Sequence, residues 1–182
     1  MRTVIAAIVS WLVVGSALTV RVSAQPGDLE YAVKAAFLLN FSRYVTWPAE
    51  KMTPPFRICV YGSNPFGRHL SDAVSGEHWQ NGRMEVHEIQ TLMEGRACHV
   101  LYVPAAAGDV LADHWPNGTM PVLTVGENER FLMHGGMIRL FLDNNKVRFS
   151  INLTAAETAQ LQISSRLLRL AREVIAPTAG DR

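Results

Sequence analysis

The sequence lacks the motifs that carry most enzymatic chemistry. Its 182 residues contain no Gly-x-Ser-x-Gly elbow, no His-Glu-x-x-His motif, no EF-hand loop and no cysteine pair at zinc spacing. The six histidines share no helical spacing, so they do not indicate a metal centre. We therefore expect a protein that is not an enzyme and that needs no cofactor or metal.

Long apolar runs are also scarce, and the clearest one lies at the N-terminus. Arg2 precedes the apolar residues 4–20, and residues 22–24 have the small-x-small pattern that signal peptidase cleaves. Residues 1–24 are therefore predicted to be a signal peptide, and residues 25–182 to form one exported domain. A membrane anchor is the alternative interpretation, because about 17 apolar residues reach the lower limit for a membrane span.

The exported part has almost no charge excess. Without Arg2 and Arg21, 15 basic residues remain against 16 acidic ones. Proteins that hold nucleic acid by its phosphates need a clear basic excess, so we expect no nucleic-acid partner.

What the sequence does contain is an alternation of strand and helix patterns. Short, mostly apolar runs predict strands at 56–62, 83–89, 98–103 and 121–125. Helical patterns occupy residues 31–47, 65–75 and 105–114, and Pro48 ends the first of them. This alternation predicts a single α/β domain, Rossmann-like, with a mostly parallel sheet covered by helices on both faces.

Cysteine is rare, and both cysteines lie in predicted strands. Cys59 falls in the first strand and Cys98 opens the third, and these strands are neighbours in the common doubly wound order 2-1-3. Export favours a disulfide between them, and neighbouring strands, about 4.8 Å apart, are close enough to be bridged. Two separately buried thiols are the alternative.

The turn after the first predicted strand allows two interpretations. Asn64 is a suitable N-cap and Pro65 a suitable first residue for the helix that follows. The same turn would aim free amides at an anion, which makes Ser63 and Asn64 a candidate anion or ligand site. The glycine spacing and the lysine of known phosphate loops are absent, so simple capping is the competing interpretation.

The C-terminal region predicts a hairpin followed by a helix. Residues 137–143 and 146–152 alternate apolar and polar side chains around Asn144 and Asn145, which tolerate a tight turn. The capping-box spacing of Thr154 and Glu157 predicts a helix start.

A long final helix is expected to follow that start. From Leu161 to Ile175, apolar residues recur at steps of three and four, and Pro177 would end the helix. Arg166, Arg169 and Arg172 lie beside the apolar stripe and form a candidate partner-facing edge.

Several segments, in order, resemble the YfiR-like periplasmic proteins of Gram-negative bacteria. They are Tyr31–Phe41 with Trp47-Pro48, Cys59–Gly62, Asn64–Gly67, Val122–Gly126, Gly135–Ile138, Lys146–Leu153 and Ile163–Ala171. The resemblance covers the whole predicted mature chain. It implies a single α/β domain with a regulatory role and without catalysis.

The resemblance also implies partners. The namesake of the family is a periplasmic repressor of an inner-membrane diguanylate cyclase, and it is relieved when an outer-membrane lipoprotein sequesters it. We accordingly expect a membrane diguanylate cyclase or histidine kinase as partner, an OmpA-like lipoprotein as a second one, and self-association into a homodimer. Members of that type can form two disulfides, whereas only the pair Cys59 and Cys98 is available here.

A second function class fits the same fold pattern. Doubly wound sheets bind ligands at the carboxyl ends of their parallel strands. A periplasmic small-ligand sensor or carrier is therefore the alternative to a protein-binding regulator.

Overall fold

The computed structural model describes residues 26–80, 82–111 and 120–176. The predicted signal peptide, residues 112–114 of the helix predicted at 105–114, and Pro177 lie outside these ranges, so the expectations about them stay predictions. The described part of that predicted helix begins as a 3₁₀ helix, Ala105–Ala107. Among the described helices, none has the combination of length and apolar character needed to cross a membrane.

The secondary structure alternates as the sequence predicts. The helices are α1 (Pro26–Tyr44), α2 (His69–Val74), α3 (Leu153–Thr158) and α4 (Ser165–Leu168). The strands are β1 (Val45–Thr46), β2 (Phe56–Tyr61), β3 (His78–Trp79), β4 (Gly82–Ile89), β5 (Val100–Val103), β6 (Leu123–Gly126), β7 (Ile138–Asp143), β8 (Lys146–Asn152), β9 (Gln162–Ile163) and β10 (Val174–Ile175). Short 3₁₀ helices occupy Ala49–Lys51, Glu94–Ala97 and Ala105–Ala107.

Eight strands form one mostly parallel sheet in the order β10-β8-β7-β6-β5-β2-β4-β3. Strands β4, β2, β5, β6 and β7 run parallel, and β8 returns antiparallel to β7. Asn144 and Asn145 form the turn of that hairpin at positive φ values of 50° and 59°. The predicted α/β class, the hairpin and the adjacency of the strands that hold Cys59 and lead from Cys98 are confirmed.

Helix α1 covers one face of the sheet. Leu38 and Phe41 are fully buried, and the rings of Phe37 and Phe41 lie 5.6 and 5.5 Å from the ring of Phe149 on β8. Each such aromatic side chain contributes about 1.5–3 kcal/mol when it leaves water, so this contact holds α1 on the sheet. The helix ends at Tyr44, earlier than predicted, because the next two residues pair with β9.

The opposite face of the sheet is covered by short helical turns and by the loop that follows β6. Its core consists of Cys59, Ile89, Cys98, Leu101, Val103, Leu111, Val122, Phe131 and Leu132. Phe131 packs directly on Gly126 and Gly136, where a Cβ atom would clash with the ring. These two glycines are needed because they let the loop close onto the sheet.

A disulfide joins Cys59 to Cys98 within this second core, with 5.9 Å between the α-carbons. The predicted bridge is confirmed, although the two residues are not opposite each other. Cys59 pairs in register with Leu101, and Cys98 lies where the 3₁₀ helix Glu94–Ala97 leads into β5. The bridge therefore links the 3₁₀ helix–β5 connection to β2 on the face of the sheet opposite α1.

The predicted long final helix is wrong. Helix α3 starts at a different cap, because the side chain of Asn152, not of Thr154, accepts the amide of Ala155 at 3.0 Å. It ends at Thr158, and Gln160 follows at a positive φ of 59°. The chain is then free to leave the helical path.

The remaining residues of the predicted helix form separate short elements because they find partners distant in sequence. Ile163 and its neighbour pair with β1, Ser164 caps the single turn of α4, and Val174 pairs with Ile151 of β8. Leu167 is buried as predicted, but Leu170 of the same stripe is 65% exposed. Backbone pairing to distant strands outweighed the helical periodicity of this segment, although Leu161 is also buried.

His99 is a buried histidine that the fold holds in its neutral form. Its Nδ1 accepts the amide of Arg57 at 3.0 Å, its Nε2 donates to the carbonyl of Lys51 at 2.8 Å, and its ring stacks on Phe56 at 4.5 Å. Burial lowers the pKa of His99 from 6.5 to about 4, and the charges of Lys51 and Arg57 act in the same direction.

The disulfide predicts a large loss of stability on its removal. Because the bridge spans a sequence separation of 39 residues, the chain-entropy model assigns it about 4 kcal/mol. Cys59→Ser should therefore lower the melting temperature by roughly 8–16 °C for a domain of this size. Denatured, unreduced wild-type protein should contain no free thiol, and two titrating thiols would contradict the bridge.

His99 predicts a specific pH dependence. Since its pKa is lower in the folded than in the unfolded chain, unfolding takes up a proton between pH 6.5 and about 4. Stability from this group is therefore complete above pH 6.5 and falls with acidification, at a slope approaching about 1.4 kcal/mol per pH unit. The free energy of unfolding, measured with urea at pH 7, 6 and 5, should fall less steeply with decreasing pH in His99→Gln than in the wild type. Equal pH dependence of the two proteins would contradict the assignment.

Candidate functional site

The carboxyl ends of β5 and β6, where the alternative small-ligand function would place a crevice, hold a buried charged cluster. Glu127 follows β6 directly, and its Oε1 lies 2.5 Å from Nζ of Lys34 on α1. The hydroxyl of Tyr102 on β5 donates to the same oxygen, and Lys34 also pairs with Glu30 one turn earlier on α1. The side chains of Lys34 and Glu127 are only 4% and 9% exposed, so this ion pair is shielded from water.

The protonation states in this cluster follow from burial and charge. Burial alone would lower the pKa of Lys34, but its hydrogen bonds to Glu127 and Glu30 outweigh burial and raise it. Burial and the charge of Glu127 both raise the pKa of Tyr102. Lys34 is therefore charged and Tyr102 is a neutral hydrogen-bond donor.

The cluster is closed by further contacts. Oε2 of Glu127 accepts the hydroxyl of Tyr31 at 3.5 Å and the amide of Ala105 at 3.4 Å. Phe66 lies between the rings of Tyr31 and Tyr102, at centroid distances of 5.6 and 4.6 Å. These groups hold α1 across the carboxyl ends of the strands. Two surface grooves of the protein, one beside β1 and β9 and one beside the β7–β8 hairpin, lie elsewhere.

Sequence reasoning missed this cluster, although two signals were available. Lys34 is a lysine within the apolar pattern of the first helix, and Glu127 is a carboxylate placed directly after a buried strand. Either alone has an ordinary explanation. Only the packing of α1 over the strand ends makes them a pair.

The predicted capping at Asn64 is observed in a modified form. Its Oδ1 accepts the amide of Phe66 at 2.9 Å, while α2 itself begins only at His69. Its Nδ2 donates to Glu88 at 3.0 Å, which brings a carboxylate to the turn. The anion or ligand role of Ser63 and Asn64 stays a prediction.

The three arginines predicted to face a partner are all exposed, but they do not form the edge of one helix. Arg166 belongs to α4, Arg169 follows that helix, and Arg172 lies just before β10. The amide of Arg172 donates to the carbonyl of Phe149 at 2.8 Å, which places it beside β8. Their role in partner binding stays a prediction.

An apolar groove lies between α1 and the β7–β8 hairpin. We call it the α1–hairpin groove, and it has a volume of about 660 Å³. Its apolar lining is Leu29, Val33, Phe37, Leu142 and Val147, and its charged lining is Glu30 and Lys146. Leu29, Val33 and Leu142 are 67%, 38% and 50% exposed. Exposed apolar side chains that share one concave surface are typical of binding sites.

A second groove, of about 550 Å³, runs along the short β1–β9 pair. Its walls carry the carboxylates of Glu50 and Glu157, together with Trp47 and Leu161. In the described part of the chain, no three His, Cys, Asp or Glu side chains come together as metal ligands. Because five apolar side chains line the α1–hairpin groove, it is the more apolar of the two candidate binding surfaces.

The charged cluster predicts an asymmetric mutational pattern. Lys34→Met leaves Glu127 and Glu30 without their cation and should destabilise the fold by about 3–5 kcal/mol. The double variant Lys34→Met, Glu127→Leu should recover much of that loss, because it removes the unpaired buried charge as well. Urea unfolding measures both.

A surface pair provides the control for that experiment. Arg43 and Glu77 form an ion pair whose side chains are 52% and 38% exposed. Arg43→Met should cost no more than about 1 kcal/mol. A Lys34 variant as mild as the Arg43 variant would contradict the importance of the buried cluster.

Comparisons with known proteins agree with this architecture. The profile of the YfiR/HmsC-like family matches residues 31–172, a range that includes most of α1, the pair Lys34 and Glu127, and the hairpin. No curated protein sequence matches the chain.

A solved structure shares the fold. It is a conserved domain protein from Vibrio cholerae O1 biovar El Tor, with a TM-score of 0.50 and 11% sequence identity. The alignment covers 79% of this chain and 60% of that protein, so this chain spans less than two thirds of its length. At this identity the similarity concerns the fold alone.

The family profile covers far more than half of the sequence, from Tyr31 in α1 to Arg172 just before β10, and on that match this chain belongs to the YfiR/HmsC-like family.

Proposed function

We propose that this protein is a periplasmic regulator that binds the periplasmic part of an inner-membrane diguanylate cyclase or sensor protein and represses it. The observation that carries the proposal is the family match over residues 31–172. The family is known for regulating diguanylate cyclases, and it is regulatory rather than catalytic. Repression of the cyclase lowers cyclic-di-GMP and, with it, biofilm formation.

The distribution of polar and apolar groups supports a role in protein binding. The buried ionisable groups Lys34, Glu127 and Tyr102 bond to one another and hold α1 in place. The exposed apolar side chains Leu29 and Val33 share a groove on the surface instead. A regulator needs such a surface, while its buried polar groups only have to stabilise the fold.

Export is part of the proposal. The family is periplasmic, and residues 1–24 carry the pattern of a cleaved signal peptide. The mature domain would then meet the periplasmic part of its membrane partner, and an OmpA-like lipoprotein of the outer membrane would sequester it. Self-association into a homodimer belongs to the same proposal.

A small-ligand sensor or carrier is the second candidate function. The α1–hairpin groove, at about 660 Å³, has a volume within the range of small-molecule sites. A ligand at 100 times its dissociation constant adds about 2.7 kcal/mol of stability, so a thermal-shift screen with amino acids, vitamins and nucleotides detects it. Absence of any shift would count against this alternative.

Deletion of the gene in its native host tests the regulatory function. Because the protein is proposed to restrain synthesis, the deletion should raise cyclic-di-GMP and biofilm, and the full-length gene should restore both. A version without residues 1–24 should accumulate but fail to restore them. Unchanged cyclic-di-GMP in the deletion strain would contradict the proposal, and a membrane pull-down with the mature domain identifies the partner.

A further inference from the structure

Strand β8 has an open edge beside the α1–hairpin groove. It pairs with β7 along its whole length, but β10 reaches only Ile151 and Asn152 on its other side. The carbonyl of Phe149 accepts the amide of Arg172, and the amide of Ile151 donates to Glu173, both across that outer side. Residues 149 and 151 therefore turn their peptide groups away from β7.

The alternation of a β-strand extends this pattern to Val147. In an antiparallel ladder every second residue points its N–H and C=O away from its partner strand. Val147 is two residues before Phe149, so its N–H and C=O point to the outer edge. Within the described ranges no backbone group pairs with them there. Unpaired edges of this kind add a further strand readily.

One side of this open edge is apolar. Val147 and Leu142 form a cross-strand pair on the face that α1 covers, and both line the α1–hairpin groove. The first turns of α1 overhang the same groove with Leu29 and Val33. Every second side chain of a strand added beside Val147 would enter this groove.

The other side of the edge is basic. Lys146 and Arg148 flank Val147, so strand alternation directs their Cβ atoms away from Val147, and both side chains are exposed. Lys146, next to the turn, also lines the end of the groove. Neither of the two cations forms an ion pair with any residue in the described ranges. The remaining side chains of an added strand would lie beside these two cations.

We propose that an extended segment of the signalling partner, with alternating apolar and acidic residues, adds as a strand to the β8 edge at Val147. Its backbone pairs with Val147, its apolar side chains fill the α1–hairpin groove, and its acidic side chains meet Lys146 and Arg148. Main-chain bonds supply affinity and the side-chain contacts supply specificity, as in other cases of strand addition. The identification of the occupant as the partner rests on the proposed function.

The charges argue against a second copy of this chain as the occupant. Pairing two β8 edges would bring Lys146 and Arg148 of one protomer next to the same cations of the other. Like charges on neighbouring strands are destabilising, and edge lysines commonly prevent self-pairing. An acidic partner segment removes this repulsion.

A synthetic probe tests the strand addition directly on the mature, disulfide-bonded protein. The probe is a blocked nine-residue peptide in which valine and glutamate alternate. Its binding should slow hydrogen exchange at the amide of Val147, which a ligand held by side chains alone would not do. The matching valine–lysine peptide should bind at least about tenfold more weakly, a difference of about 1.4 kcal/mol.

Two variants should weaken binding of the valine–glutamate peptide at least about tenfold. Val147→Pro removes the outward amide without touching the β7 ladder, a position where a strand tolerates proline. Leu29→Asp places a charge in the groove at a side chain that is 67% exposed in the free protein. Met93→Asp, at a residue 63% exposed between β4 and β5, is the matched control and should bind normally. Equal binding by all variants, or an unchanged exchange rate at Val147, would overturn the proposal.

The same variants in the deletion strain separate this inference from the proposed function. Val147→Pro and Leu29→Asp should accumulate normally but fail to lower cyclic-di-GMP, while Met93→Asp should repress like the wild type. Full repression by both groove variants would refute the β8 edge as the docking site and leave the regulatory function intact. If the wild type itself does not repress, the regulatory function fails, and protection of the Val147 amide by the peptide decides the strand addition alone.

Discussion

The packing of α1 across the sheet is the contact on which the other features of this structure depend. The rings of Phe37 and Phe41 meet Phe149 on β8, while Lys34 reaches Glu127 beyond the end of β6. The apolar contacts supply most of the stabilisation, since they are many and exclude water. The buried ion pair adds a positional constraint, because α1 could not shift along the sheet without leaving Glu127 unpaired.

That constraint also creates the candidate binding surface. Because Lys34 and the aromatic residues are fixed on the sheet, the first turns of α1 extend beside the tip of the β7–β8 hairpin. Leu29 and Val33 then face Leu142 and Val147 with a groove between them. The apolar row of cross-strand pairs that α1 buries at Phe149 therefore continues, uncovered, to the hairpin tip.

The two faces of the sheet are stabilised by different means. Under α1, long side chains interdigitate over several strands. On the other face the cover is short, and it is secured by the Cys59–Cys98 bridge and by Phe131 seated on Gly126 and Gly136. A disulfide suits a face of this kind, because closing a loop in the unfolded chain compensates for a small contact area.

The sequence by itself determined the class of the fold, its long strands, the hairpin at Asn144 and Asn145, and the cysteine pair. These features follow from local periodicity, from turn residues and from the oxidising environment that the predicted signal peptide would imply, so no distant contact is needed to predict them. Only the tertiary structure decided the fate of residues 161–175, because β1 and the edge of β8 offered backbone partners that a helical period cannot reveal. The same holds for the pairing of Lys34 with Glu127 and for the open edge at Val147. The ion pair and the open edge both depend on which helices and strands become neighbours. Those neighbours are determined by the burial of whole helix and sheet faces, and the residues adjacent in the sequence do not reveal them.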